Sequence, residues 1–216
     1  HERPGVYSSY DASSVVSARA AAKTIGAAAI AAKGTANEAV LITSYEEGRS
    51  VFGEDAAGTQ GMSALLRMLF LNGAGAVKAA AVGKVAGGAA DYASAFAALS
   101  EEEDVGIVVC DSAEVSVHQS LKTSVENASN ARHERIAVVG GAAETVAQMV
   151  EHAKSINSER MVLVGPDAAL EDGTEASAVL AAAAAAGVIA GSSDAHQRRG
   201  ACGAWRREQA AERQRD

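Results

Sequence analysis

Three short apolar runs do most to limit what this chain can fold into. DVGIVVCD (residues 104–111), ERIAVVG (134–140) and ERMVLVG (159–165) each have an unbroken apolar centre, and each is followed by a segment of helical character. A strand with one wet face alternates apolar and polar residues, whereas an unbroken centre is the mark of a strand buried on both faces. Such a sheet needs helices above and below it. Strand–helix alternation along the chain then implies parallel strands joined by right-handed crossovers. The expected fold class is α/β.

The helices between these strands carry start and stop signals. Asp91 is placed to cap YASAFAALS, and Asp111 to cap the next helix, with Glu114 in capping-box register and an end near Ser129. A helix is expected over 142–157, with Val146, Met149, Val150 and Ala153 on one face, and an alanine-rich helix over about 176–190. Pro166 closes the third strand.

The first half reads as a smaller α+β unit of strand, strand, helix, helix and strand. KTIGAAAIAA (23–32) and AVLITSY (39–45) are the strands. Ser44 is a helix N-cap, Glu46 and Glu47 fill the first turn, and Gly53 lies past the end. Met62, Leu65, Leu66, Leu69 and Phe70 recur at helical spacing until Asn72-Gly73 stops the helix, and AVKAAAVG follows as a strand. The glycine-rich GKVAGGAADY (83–92) is the candidate boundary. The expected organisation is an extended arm at 1–20, a small α/β N-terminal unit at 21–85, an α/β domain with a largely parallel sheet at 86–194, and a basic tail at 195–216. Residues 196–216 hold six arginines against three acidic residues, with no apolar periodicity.

Composition narrows the function classes. Hydrophobic residues make up 48% but aromatics only 4%, so the core is expected to be Ala, Val, Leu and Ile at close backbone approach. A net charge of −8 argues against nucleic acid or an anionic membrane as partner, since phosphate binding needs clustered Lys and Arg. Ala181–Ala186 is too short to span a bilayer and no signal peptide precedes His1, so the expectation is a soluble, intracellular protein. Of the two cysteines, Cys110 sits in an apolar run and reads as a reduced, buried thiol; Cys202 lies in the tail, and neither a disulfide framework nor a zinc site is indicated.

No motif carries chemistry. GEDAAGTQ (53–60) has phosphate-loop glycine spacing, but Thr59 and Gln60 stand where lysine and a hydroxyl residue are needed. VVGGAAET (138–145) is a strand, turn and helix start that can hold an anion and equally serves as a plain βα turn. HER (133–135) lacks a second histidine at metal-binding spacing. His118 and His152 lie on expected helices and read as surface or partly buried structural residues. Asp111 at a strand's carboxyl end occupies a position where α/β enzymes place carboxylates, and is also a good helix cap. Asn127-Ala128-Ser129 is a glycosylation sequon by pattern only, and there is no Gly-x-Ser-x-Gly elbow. No catalytic, cofactor-binding or metal-ligating residue is expected.

Three stretches in order carry a resemblance: RPGVY (3–7), ANEAVLITSYEEGRSVFG (36–53) and ALLRMLFLNGAGAVKAAAVG (64–83). The chain resembles the tail sheath proteins of contractile phage tails and phage-tail-like particles, most strongly those of phages and prophages of Gram-positive bacteria. The matching positions are Pro4 to Tyr7; Val40, Ile42, Thr43, Ser44, Phe52 and Gly53; and Phe70, Asn72 and Gly73. Ala39 departs from the pattern, where proline is common. INSERMVLVGPDA (156–168) and the alanine-rich helix also look like the family's α/β domain.

The resemblance implies a mechanical role. Sheath subunits stack as rings around a tail tube and contract by rearranging the lattice, linked by terminal arms that complete neighbouring sheets through strand addition. The implied inter-subunit arm is Pro4, Gly5, Val6, Tyr7, Val15 and Val16. The implied partners are other sheath subunits, the tail tube protein, and baseplate and tail terminator proteins, with no nucleic acid, membrane or cofactor. The implied place is the virion tail, assembled in the bacterial host cytoplasm. The family's C-terminal domain is absent here, so the chain is expected to be a truncated sheath with a non-native tail, monomeric or weakly oligomeric, and without protease activity. Two rivals stand beside this: a small α/β enzyme or ligand-binding domain using the strand ends near Asp111, Gly140 and Gly165, and a native basic tail that binds an acidic partner.

Overall fold

A computed structural model describes residues 23–191, apart from 57–58, 87, 89, 143–144, 166 and 170–174. The expected arm and basic tail, including Cys202, lie outside the described residues. The elements in chain order are β1 (Thr24–Ala29), β2 (Ala39–Ile42), α1 (Tyr45–Phe52), α2 (Met62–Leu71), β3 (Val77–Ala81), β4 (Gly83–Lys84), β5 (Ala90–Asp91), α3 (Tyr92–Ser100), β6 (Val105–Cys110), α4 (Val115–Asn130), β7 (Ile136–Gly140), α5 (Val146–Ile156), β8 (Met161–Val164), β9 (Ala168–Ala169), β10 (Glu175–Ala176) and α6 (Ala178–Gly191).

Six strands form one sheet in the order β2-β3-β1-β6-β7-β8. All neighbours pair in parallel except β2, which runs antiparallel to β3 at one edge. The α/β class with a mostly parallel sheet is therefore present. Residues on both sides of position 85 share this sheet, because β1 pairs with β3 on one side and β6 on the other. The glycine-rich run at 83–92 forms the short antiparallel β4–β5 ladder.

Alanine sets the thickness of the layers. Along β1, Ala27 and Ala29 face the core shared with α2 and α6, while Ala28 faces the core shared with α3 and α4. Helix α6 is apolar all round, with alanine at eight of its fourteen residues, so it lies down on the sheet and on α2 together. The approach is close enough to require glycine. A Cβ on Gly187 would stand 2.7 Å from the Leu69 carbonyl oxygen, and one on Gly191 2.9 Å from that of Gly73.

Local signals place the helix ends. Ser44 Oγ accepts from Glu47 N–H at 3.2 Å, and the Glu47 carboxylate accepts from the N–H and hydroxyl of Thr43 at 2.7 and 2.8 Å. A reciprocal cap of this kind stabilises a helix by about 1 kcal/mol. Gly53, at φ 77°, ends α1. Asp91 caps α3 by accepting from Ser94 N–H at 3.3 Å, and Thr145 and Gln148 form a capping box on α5.

One expected cap needs correction. Asp111 does not cap α4: that helix starts at Val115 with Glu114 at the N-cap and no side-chain cap bond. The apolar face of α5 carrying Val146 and Val150 is turned away from the core. Helix α5 begins four residues later than expected and buries His152 and Ile156, leaving Val146 75% and Val150 46% exposed. The helix lies beside the last strand, and among the described residues no further layer covers its outer apolar face.

Candidate functional site

Chain order reverses across the β1–β6 pair, so the carboxyl ends of these strands are where an open α/β sheet offers a ligand crevice. Here the chain fills that place itself. Asp111, immediately after β6, accepts from Ile30 N–H at 2.8 Å and from the Tyr92 hydroxyl at 2.7 Å, tying β1, β6 and α3 together. Burial pushes the Asp111 carboxyl above the usual range, and burial together with this carboxylate raises the Tyr92 phenol.

The neighbouring helix terminus is filled in the same manner. Asp55 accepts from the N–H groups of Gly61, Ser63 and Ala64 at 3.1, 3.1 and 2.7 Å, supplying its own anion to the start of α2. This carboxylate lies in GEDAAGTQ. Its partner donors are the amides that a bound anion would use elsewhere.

The start of α6 covers the strand end at Gly140 and approaches that at Gly165, which is exposed. A Cβ on Gly140 would stand 2.2 Å from Val179 N, and one on Gly165 3.4 Å from Ala178 Cβ. Ala178 N–H donates to Asp167 at 2.6 Å. Gly140 of VVGGAAET thus admits a helix rather than a ligand, and both Asp111 and Gly140 are engaged by the protein's own groups.

His118 and His152 are fully buried rather than at or near the surface. Nδ1 of His118 lies 2.9 Å from Nε2 of His152, and Nε2 of His118 lies 2.8 Å from the Ser112 carbonyl oxygen. The rings stack at 5.0 Å between centroids. The carbonyl accepts only, so Nε2 of His118 carries hydrogen; in the neutral ring Nδ1 then accepts from His152. The pair joins α4 to α5. Cys110 is buried and free, with its thiol pushed up to about 12 by desolvation.

Among the described residues, no group of three His, Cys, Asp or Glu side chains is placed to hold a metal ion. No described helix is long and apolar enough to cross a membrane. The residues expected to form the arm, Pro4, Gly5, Val6, Tyr7, Val15 and Val16, lie outside the described residues. Sequence reasoning missed Tyr92 and Asp55. Tyr92 meets its partner 19 residues along the chain, and Asp55 reaches amides 6, 8 and 9 residues on, beyond the spacing of an ordinary N-cap.

Residues 85–199 match the phage tail sheath protein central domain. The chain belongs to the phage tail sheath family. Its fold is also that of solved sheath structures. One is a sheath tail protein from Listeria innocua, 14% identical, at a TM-score of 0.55 over 79% of this chain and 57% of that one. Another is a sheath tail protein from Desulfitobacterium hafniense, 12% identical, at 0.57 over 87% and 62%. A chain of the anti-feeding prophage baseplate, 16% identical, gives 0.54 over 88% and 52%. The sheath chain described here thus spans between about half and three-fifths of the length of these relatives. No curated protein matches it in sequence.

Proposed function

We propose that this chain serves as a structural subunit of a contractile tail sheath, polymerising around a tail tube and contracting with its neighbours during injection. The observation that carries the reading is the match to the sheath central domain over residues 85–199. The geometry supports a mechanical rather than a chemical task. The ligand crevice of the α/β sheet is occupied by Asp111, Tyr92 and the start of α6, and a sheet clad on both faces makes a stiff body. A stiff body suits a lattice that rearranges by rotating whole subunits about flexible links.

On this reading Pro4, Gly5, Val6, Tyr7, Val15 and Val16 form an inter-subunit arm, and residues 86–194 act as the sheath domain proper. The partners are further sheath subunits, the tail tube, and baseplate and terminator proteins. The site of action is the particle's tail, after assembly in the host cytoplasm. The chain has no catalytic role.

Immunogold electron microscopy tests the assignment. Antibody raised against this chain should decorate the shaft of contractile particles induced from the host bacterium, along the whole sheath length. Label confined to heads or fibres overturns it. A thermal-shift panel of nucleotides and flavins should leave the melting temperature unchanged.

A further inference from the structure

Of the five asparagines in the chain, Asn72 alone is followed by glycine. The pair stands where α2 stops. Asn72 is the C-cap, and Gly73 follows at φ 101°. Gly73 N–H donates to the Phe70 carbonyl at 3.3 Å and Ala74 N–H to that of Leu69 at 3.0 Å, the two bonds of a Schellman stop. The Asn72 side chain adds another, its Nδ2 donating to the Met68 carbonyl at 2.8 Å. Helix α6 comes close to this stop. A Cβ on Gly187 would stand 3.0 Å from Asn72 Cβ, and one on Gly191 2.9 Å from the Gly73 carbonyl oxygen. The outer side of the same turn is uncovered among the described residues, with Leu71 70% exposed.

An asparagine before glycine has a chemistry of its own. With no Cβ on Gly73, its amide nitrogen can approach the Asn72 carboxamide closely. Attack forms a bond from Gly73 N to Asn72 Cγ and breaks the Cγ–Nδ2 bond. The Gly73 amide proton passes through solvent to the departing nitrogen, which leaves as ammonia. Water then opens the cyclic imide at either carbonyl, giving aspartate or isoaspartate. The native turn forbids the first step. At ψ 14°, Gly73 N is turned toward the backbone nitrogen of Asn72 and away from its Cβ. Both reacting nitrogens are also held by α2 carbonyls.

We propose that Asn72 is a deamidation site gated by the fold: it reacts when the last turn of α2 opens locally, and its product keeps the α2–α6 junction loosened. Such opening breaks only the few bonds of the stop, on a turn with one uncovered side. The product cannot restore them. A carboxylate accepts and does not donate, so the Met68 carbonyl loses its donor and faces a second acceptor. The new negative charge also sits at the helix end that disfavours it. Isoaspartate lengthens the main chain by one carbon and takes the stop out of register. Because Asn72 and Gly73 lie against α6, this irreversible change is felt by both helices.

The test follows deamidation of the full chain at pH 7.5 and 37 °C by mass spectrometry of the tryptic fragment 68–78. The free peptide MLFLNGAGAVK is the open-state reference. Asn72 in the folded chain should convert roughly tenfold or more slowly than in the peptide, yet measurably, while Asn37, Asn127, Asn130 and Asn157 stay intact. Urea below the unfolding transition should leave the rate nearly flat, because local opening exposes little surface. The urea series needs no variant. Asp111→Ala, beside the opposite end of α2, should leave the rate unchanged. Gly187→Ala presses a methyl group on Asn72 and should raise it about threefold or more. Conversion at the peptide's rate overturns the gate. A rate that climbs with urea and with Asp111→Ala in step with global unfolding overturns local opening. No conversion in the folded chain over about a hundred half-times of the peptide overturns the site. The product is read on an Asn72→Asp chain, in which the amides of residues 72–74 should exchange about tenfold or more faster than in the parent. Parental protection there overturns the loosening.

Discussion

Asp111 is a carboxylate held by two neutral donors and no cation, which makes its charge costly to bury. Its folded pKa lies above its unfolded one, so its contribution to stability is greatest below the unfolded pKa and is lost as pH rises through the folded pKa. Asn can accept from Ile30 and donate to Tyr92 without carrying charge. The stability of Asp111→Asn relative to the parent chain should therefore rise between pH 4 and pH 8, measured by urea denaturation. Asp111→Ala leaves both donors unmet and should cost about 2–4 kcal/mol at pH 7. The opposite sign belongs to Asp104, whose bond from Lys78 lowers its pKa; its contribution is present above the unfolded pKa and lost as pH falls. The pH gain of Asp111→Asn should thus be read as a difference from the parent, in which Asp104 cancels. Cys110 gives a second residue-scale test. In a Cys202→Ser background its thiol should react with a disulfide reagent only at the rate of global unfolding.

At the scale of elements, α5 and α6 are held in opposite ways. Helix α6 is locked by backbone contact. Gly140→Ala would drive a methyl group into the Val179 backbone and should destabilise by about 3 kcal/mol or more. Gly187→Ala should cost somewhat less, since its Cβ would stand 2.7 Å from the Leu69 carbonyl oxygen against 2.2 Å from Val179 N at Gly140. Thermal denaturation of both variants gives the order. Helix α5 buries only His152 and Ile156, and its start rests on the Thr145 capping box. Thr145→Ala should cost about 1 kcal/mol. Amide exchange should show α5 opening well before α4, which buries His118, Leu121, Val125 and Ala128. A smaller gap between the two helices than between α5 and a frayed terminus would contradict that ranking.

Over the whole molecule, the order β2-β3-β1-β6-β7-β8 ties early and late sequence together through β1. The most protected amides of β3 and β7 should exchange at one common free energy, that of global unfolding. Two separate values would mean that the halves open independently. Asp111 reinforces the tie by joining the residue after β1 to the residue after β6 and to α3.

What the sequence determined by itself was local. The apolar runs at 104–111, 134–140 and 159–165, the caps at Ser44 and Asp91, and the stops at Gly53 and Gly73 are read within a few residues, because hydrogen bonds of turns and caps close over that distance. The family was legible too, through ordered motifs along the chain. The tertiary structure alone decided where Asp111 spends its carboxylate. The donors that outcompete the α4 amides come from Ile30 and Tyr92, 81 and 19 residues away. It also decided which face of α5 is covered. Val146, Met149, Val150 and Ala153 make an apolar stripe by spacing, yet burial depends on which layer lies opposite, and among the described residues the sheet ends at β8. Periodicity reports that a face is apolar, and only the position of the helix in the fold determines what covers it.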